Sequence, residues 1–195
     1  MLKEKLKNYK IILASGSPRR QQFFKDLDLD FEIRVKEINE IYPENLVAQE
    51  ITNYLAELKS KAFDGQINDN EIVITSDTLV WLENEILTKP IDYNDAVQIL
   101  NKISGKTHTV FTSVCFATNI TKTVIFDETK VTFRDLTGSE IHYYLENYKP
   151  FDKAGAYAIQ EWIGLIGIIK IDGSYSNVVG LPTEKVYDFL NNFIK

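Results

Sequence analysis

Short apolar runs alternate with amphipathic stripes along the whole chain, and this alternation restricts it to an α/β architecture. Residues 9–14, 31–35 and 71–75 are runs of strand length. Between them Phe23, Phe24 and Leu27 recur at helical spacing behind Ser17, a good N-cap, and Pro18, which suits the first helical position. A longer stripe holds Val47, Ile51, Tyr54, Leu55, Leu58 and Ala62, with Asn45 placed to cap a helix that runs to Phe63. Residues 79–87 fold back over Glu83-Asn84 as a hairpin. Pro90 and Asp92 open a helix with Ala96, Ile99, Leu100 and Ile103 inward. Residues 107–117 and 123–133 read as long strands joined around Asn119, and Thr137-x-x-Glu140 is a capping box before a helix to Tyr148. Residues 164–171 are expected as strand, 171–182 as a turn-rich loop and 182–194 as a closing helix. No repeat or linker interrupts this order, so a single domain over 1–195 with a mixed sheet is expected.

A chain of 195 residues buries roughly 70% of its unfolded surface, enough for one sizeable core. Its 22 Lys and Arg against 28 Asp and Glu give a net charge of −6. That balance excludes a broad nucleic-acid or anionic-membrane surface, which needs a positive field, but not a small basic pocket. The single Cys115 rules out an intrachain disulfide and reads as a buried thiol. The apolar stretch 11–14 is too short for a signal segment, and 157–171 is broken by Gln160, Glu161 and glycines. The chain is expected to be soluble and cytoplasmic.

Ser15-Gly16-Ser17-Pro18-Arg19-Arg20 breaks a local rule. A helix N-terminus is the positive end of the dipole, so two arginines are unfavourable there unless an anion joins them. Guanidinium forks, backbone N–H groups and serine hydroxyls would then converge on phosphate. Ile72-Val73-Ile74-Thr75-Ser76-Asp77-Thr78 places an aspartate at the carboxyl end of a buried strand, where α/β proteins put ligands. Asp77 is equipped to hold a divalent cation or to act as general base, and an aspartate in such a place also caps turns. Lys89, before Pro90, is biased to extended geometry that can aim its ammonium across a cleft at a phosphate, and a surface lysine before a helix reads the same way. Lys59 and Lys61 fall late in a helix, where lysines commonly serve the dipole.

Ser104-Gly105-Lys106-Thr107 ends like a phosphate-binding P-loop, yet Leu100 stands where its first glycine belongs and the flanking elements are inverted. His108 and His142 are too few for a histidine metal site. Asp152-Lys153-Ala154-Gly155-Ala156-Tyr157-Ala158-Ile159-Gln160 combines small residues with an amide that can read a base edge.

Taken together, ILASGSPRRQQFF, ITSDTLVW, LTKPIDYNDAVQILNKISGKTHTVFTSV, DKAGAYAIQ and GSYSNVVGLP resemble, in order, the Maf family of nucleoside triphosphate pyrophosphatases. The resemblance implies an α/β fold with a mixed twisted sheet flanked by helices, two lobes around a deep cleft, and a homodimer. It implies hydrolysis between the α and β phosphates of a nucleotide, with Mg or Mn. Ser17, Arg19 and Arg20 would line the phosphate site, and Asp77 would be proton acceptor or metal-bound carboxylate. Lys59 and Lys89 would neutralise phosphate, and Glu40 would associate with the metal. Thr78 and Gln160, with Arg19, resemble the base-selecting positions of the dTTP/UTP branch.

The chain departs from that pattern at Asn39, Ser60 and Glu161. Glu161-Trp162 adds bulk and charge beside Gln160, the change expected to bear most on base choice. The rival reading is a nucleotide-binding regulator of septum formation that does no chemistry; intact Asp77, Lys59 and Lys89 favour the enzyme. The partner expected is a small nucleoside triphosphate, with neither nucleic acid nor membrane.

Overall fold

The computed structural model describes residues 1–193. In chain order the elements are α1 (Leu2–Lys5), β1 (Lys10–Leu13), α2 (Pro18–Asp26), β2 (Phe31–Ile33), α3 (Gln49–Lys61), β3 (Glu71–Leu82), β4 (Glu85–Leu87), α4 (Tyr93–Ile103), β5 (Thr107–Ala117), β6 (Lys122–Phe133), α5 (Gly138–Tyr148), α6 (Trp162–Gly167), β7 (Ile168–Asp172), α7 (Tyr175–Val179) and α8 (Thr183–Phe193). The strands form one mixed sheet in the order β2-β1-β3-β5-β6-β7, with β4 beside β3. β1 runs parallel to both β2 and β3, while β3/β4 and β6/β7 are antiparallel. Among the described residues, no helix is long and apolar enough to cross a membrane.

The chain divides into two compact units. The first holds Met1–Asp77, Thr112–Asp127 and the chain from Gly180; the second holds Thr78–Phe111 and Glu128–Val179. In the first, the two-residue alternation of a strand separates two cores. Ile11, Leu13, Ile72 and Ile74 pack with Phe24 of α2 and Leu181, Val186 and Leu190 on one face of the sheet. Ile12 and Val73 point to the other face, with Phe63 just past α3.

The turn residues act as expected where their chemistry is local. Ser17 caps α2, its hydroxyl accepting from the Arg20 N–H, with Pro18 in the first turn. Glu83 (φ 50°) and Asn84 (φ 68°) make the tight turn that pairs Val80 with Leu87. Asp92 caps α4, and Thr137 with Glu140 forms both halves of the capping box of α5. Gly105 follows α4 and precedes β5, the reverse of a P-loop.

Other boundaries differ from expectation. Asn45 does not cap α3: the Leu46 N–H closes a turn on the Pro43 carbonyl, and Ala48 (φ 48°) is the residue before the helix. The buried face of α3 is therefore Ile51, Thr52, Leu55, Ala56 and Ser60, while Val47 is exposed. Residues 164–167, expected as strand, belong instead to helix α6, because Gly164 and Gly167 let a helix lie where side chains would collide. Strand resumes only at Ile168, and 175–179, expected as loop, is α7. Of the closing helix expected over 182–194, α8 accounts for Thr183–Phe193, and Ile194 lies outside the described residues. Cys115 is fully buried.

The second unit packs its own core, with Leu100, Ile103, Val131, Phe133, Ile141 and Ile163 among its fully buried side chains. His108 sits in this core, 1% exposed, with Nε2 2.7 Å from the Tyr157 hydroxyl and Nδ1 without a hydrogen-bond partner. Burial pushes its pKa down from 6.5 to about 4. The unfolded chain therefore takes up the proton first, so this contribution to stability is intact above pH 6.5 and is lost as pH falls toward 4. The loss should reach about 3 kcal/mol, read as a falling urea midpoint. His108→Leu should flatten that slope. Carboxylates held low, such as Glu140 at about 2 through Arg134, keep their full contribution above pH 4.5 and lose it only as pH falls below that, which leaves the pH dependence above it to the histidine.

Candidate active site

The site in the first unit follows from strand alternation. Val73, Thr75 and Asp77 share the face of β3 that looks onto α3. β3 does not stop at Thr75 but continues to Leu82, so Asp77 lies within the strand and not at its end. Nothing in Ser76-Asp77-Thr78-Leu79-Val80 breaks a strand, and burial on both faces carries it on.

α3 comes close because its sheet-facing side chains are small. The Thr75 hydroxyl donates to the Ala56 carbonyl at 2.6 Å, and Thr52 Oγ1 lies 2.6 Å from Ser113 Oγ. One helical step of three residues beyond Ala56, matching the two-residue step from Thr75 to Asp77, brings Lys59 to the carboxylate. Lys59 Nζ donates to Asp77 Oδ1 at 2.6 Å, and the pair is 19% and 12% exposed. The same ammonium lies 3.2 Å from Glu40 Oε1, whose side chain is half exposed. Two carboxylates thus share one cation.

Arg20 approaches the strand from the N-terminal turn of α2. Its Nε donates to the Gly180 carbonyl at 2.8 Å and its Nη1 to the Ser76 carbonyl at 3.0 Å, with Ser15 Oγ at 3.5 Å. Burial pushes its pKa down, against the opposing pull of Asp77 and Glu40. Arg19 is half-buried beside it. A Cβ at Gly16 would meet nothing within 4 Å, so open space adjoins this helix start. Ser17, Arg20, Asp77, Lys59 and Glu40 are therefore linked by contacts within one unit.

The remaining expected residues belong to the second unit. Thr78 is half-buried on β3. Lys89 is exposed between β4 and α4, and Gln160 is exposed just before α6. His108 and His142 serve packing and a contact with Tyr93. Sequence reasoning gave no role to the carbonyls of Ser76 and Gly180 that hold Arg20, since backbone atoms leave no compositional signal. Tyr144, on α5, carries no sequence signal for a site, yet its hydroxyl is bonded to the turn that carries Gln160.

Among the described residues, no three His, Cys, Asp or Glu side chains cluster as a self-sufficient metal site. The two carboxylates around Lys59 nevertheless fit a hard divalent cation. Magnesium takes oxygen ligands and is usually held by one or two carboxylates, with phosphate oxygens and water completing the shell.

Residues 10–193 match the family described as Maf-like protein. The chain is 62% identical to the dTTP/UTP pyrophosphatase of Flavobacterium johnsoniae over 194 residues, covering 100% of both chains. It is 65% identical to the dTTP/UTP pyrophosphatase of Flavobacterium psychrophilum over 98% of both, and 54% identical to that of Christiangramia forsetii over 100% of this chain and 99% of the other. Among solved structures, the Staphylococcus aureus Ham1 protein is similar in fold, with a TM-score of 0.53 at 18% identity over 94% of this chain and 99% of that one. From its first strand through its last described helix, this chain belongs to the Maf-like protein family.

Proposed function

We propose that the protein is a nucleoside triphosphate pyrophosphatase that hydrolyses dTTP and UTP to the monophosphate and pyrophosphate. The reading rests on the Lys59-bridged pair Asp77 and Glu40, set beside the arginine-bearing start of α2. Full-length similarity to dTTP/UTP pyrophosphatases supports the substrate.

In this mechanism Ser17, Arg19 and the N–H groups at the start of α2 hold phosphate oxygens, and the charge of Arg20 adds to the field while its N–H groups brace the carbonyls of Ser76 and Gly180. Asp77 accepts the proton of the water that attacks phosphorus. As the new P–O bond forms, the bridging P–O bond breaks and pyrophosphate leaves. Lys59 fixes the carboxylate through its 2.6 Å hydrogen bond and offsets negative charge as it gathers. Lys89, Thr78 and Gln160 are assigned to substrate binding, the first to phosphate and the other two to the base. A divalent cation held by Asp77 and Glu40 would neutralise phosphate charge and stabilise the leaving group.

A pyrophosphate-release screen over dTTP, UTP, CTP, ATP and GTP with Mg or Mn tests this. dTTP and UTP should be turned over at least about tenfold faster than the others, which is within reach of base-edge hydrogen bonding, and EDTA should abolish release. Orthophosphate as the first product would overturn the assignment of the cleaved bond. Binding without turnover would favour the regulator.

A further inference from the structure

The segment before α6 is bound more tightly than an exposed loop needs to be. Ala158 to Glu161 is a four-residue turn closed by the Glu161 N–H on the Ala158 carbonyl at 3.0 Å. The phenol of Tyr144, fully buried on α5, joins the same two residues again: it accepts from the Ala158 N–H at 3.2 Å and donates to the Glu161 carboxylate. The other carboxylate oxygen of Glu161 lies 3.5 Å from Lys153 Nζ, on a side chain only 11% exposed. Ile159 is buried beneath the turn, and Gly164 packs on its carbonyl so closely that a Cβ would stand 2.6 Å from the carbonyl carbon. Gln160 is the exposed residue of this turn, and Glu161 is half-buried.

We propose that Tyr144, Glu161 and Lys153 are positioning residues that lock this turn so that the Gln160 carboxamide is presented, preorganised, to the edge of a pyrimidine dione. A carboxamide offers one acceptor and one donor, the complement of the N3–H and O4 of uracil or thymine. The N3 and N4 of cytosine present the opposite order, which the carboxamide meets only after a half-turn about its Cγ–Cδ bond. Holding the backbone that carries this side chain in one geometry before binding removes part of the ordering cost that would otherwise weaken discrimination. Burial and the Glu161 carboxylate push the Tyr144 phenol above its ordinary pKa, so it remains a donor at physiological pH. Glu161 is accordingly turned onto the protein, where Lys153, paired at 2.7 Å with Asp152, lies 3.5 Å from its carboxylate. The inference rests on the pyrophosphatase reading and on the base-contacting role of Gln160.

Tyr144→Phe, Glu161→Ala and Glu161→Gln test it with two readouts. Amide exchange of nucleotide-free protein should show Ala158 exchanging about tenfold faster in Tyr144→Phe and Glu161→Ala, the loss of roughly one hydrogen bond. In turnover, both variants should raise KM for dTTP and UTP about five- to tenfold, with kcat within about twofold and the preference over CTP reduced in proportion. Glu161→Gln, which keeps an acceptor for the phenol, should recover most of both. Should Tyr144→Phe fail to fold, Glu161→Ala carries the same comparison from the solvent side of the clamp. Unchanged Ala158 protection overturns the clamp. Lost protection with an unmoved dTTP-to-CTP ratio, or an equal fall in kcat for every nucleotide, reduces it to a structural tie and overturns the positioning role. Absence of dTTP and UTP turnover in the unmodified protein overturns the pyrophosphatase reading itself, an outcome distinct from the other two because exchange is measured without nucleotide.

Discussion

Asp77→Asn should lower pyrophosphate release from dTTP by about a thousandfold, within the range that removal of a positioned general base produces. Asparagine has nearly the same shape, so the change removes proton affinity and charge while leaving β3 intact. Lys59 keeps Glu40 at 3.2 Å, so its ammonium is not stranded, and the fold should lose only about 1–2 kcal/mol. The check is a pair of measurements: steady-state turnover, and a urea midpoint on the same preparation. Near wild-type turnover would remove Asp77 from the reaction. Glu40→Gln should cost much less, because that carboxylate is half exposed and Asp77 still engages Lys59.

The second large effect is on stability. Gly164→Ala should destabilise the protein by roughly 3–5 kcal/mol, a substantial fraction of what a domain has to lose. The added methyl would overlap the carbonyl oxygen of Ile159 and lie 2.6 Å from its carbonyl carbon and 2.9 Å from its Cα. These are backbone atoms that no rotamer change can move, so either α6 shifts or the 158–161 turn opens. Gly138→Ala is the control: nothing lies within 4 Å of its Cβ position, and it should be close to neutral. A loss below about 1 kcal/mol at Gly164 would show that α6 slides easily on its neighbours.

What could be read in the sequence was local chemistry. Ser17-Pro18, Asp92 and the Thr137/Glu140 box each satisfy their own helix ends, and Glu83-Asn84 closes its own hairpin, so these features lie where their residue types demand. Periodicity misled where packing decides. Val47 matched the stripe of α3 yet is exposed, because the helix starts two residues later and turns small side chains, Ala56 and Ser60, to the sheet. Residues 164–167 continue the apolar run of the strand that follows, but two glycines suit a helix pressed on its neighbours. The site divides in the same way. The types at Asp77, Lys59, Glu40 and Arg20 were legible, whereas the sharing of Lys59 and the bracing of Arg20 by two carbonyls depend on contacts far apart in sequence. Gln160 was legible as an amide. The phenol behind it was not, since a buried tyrosine at helical spacing looks like any other core residue.

The alternation that began at Val73 also makes β3 a ruler. Ile72 and Ile74 point to the α2 side, and Val73, Thr75 and Asp77 to the α3 side, so the carboxylate's address is a matter of odd or even position. Deleting one residue between Val73 and Asp77 would keep the carboxylate itself but deliver it to the wrong side of the sheet. Length variation is therefore barred from this stretch, while the exposed turn at Asn119 and Ile120 can lengthen or shorten without changing the side of the sheet on which Asp77 stands.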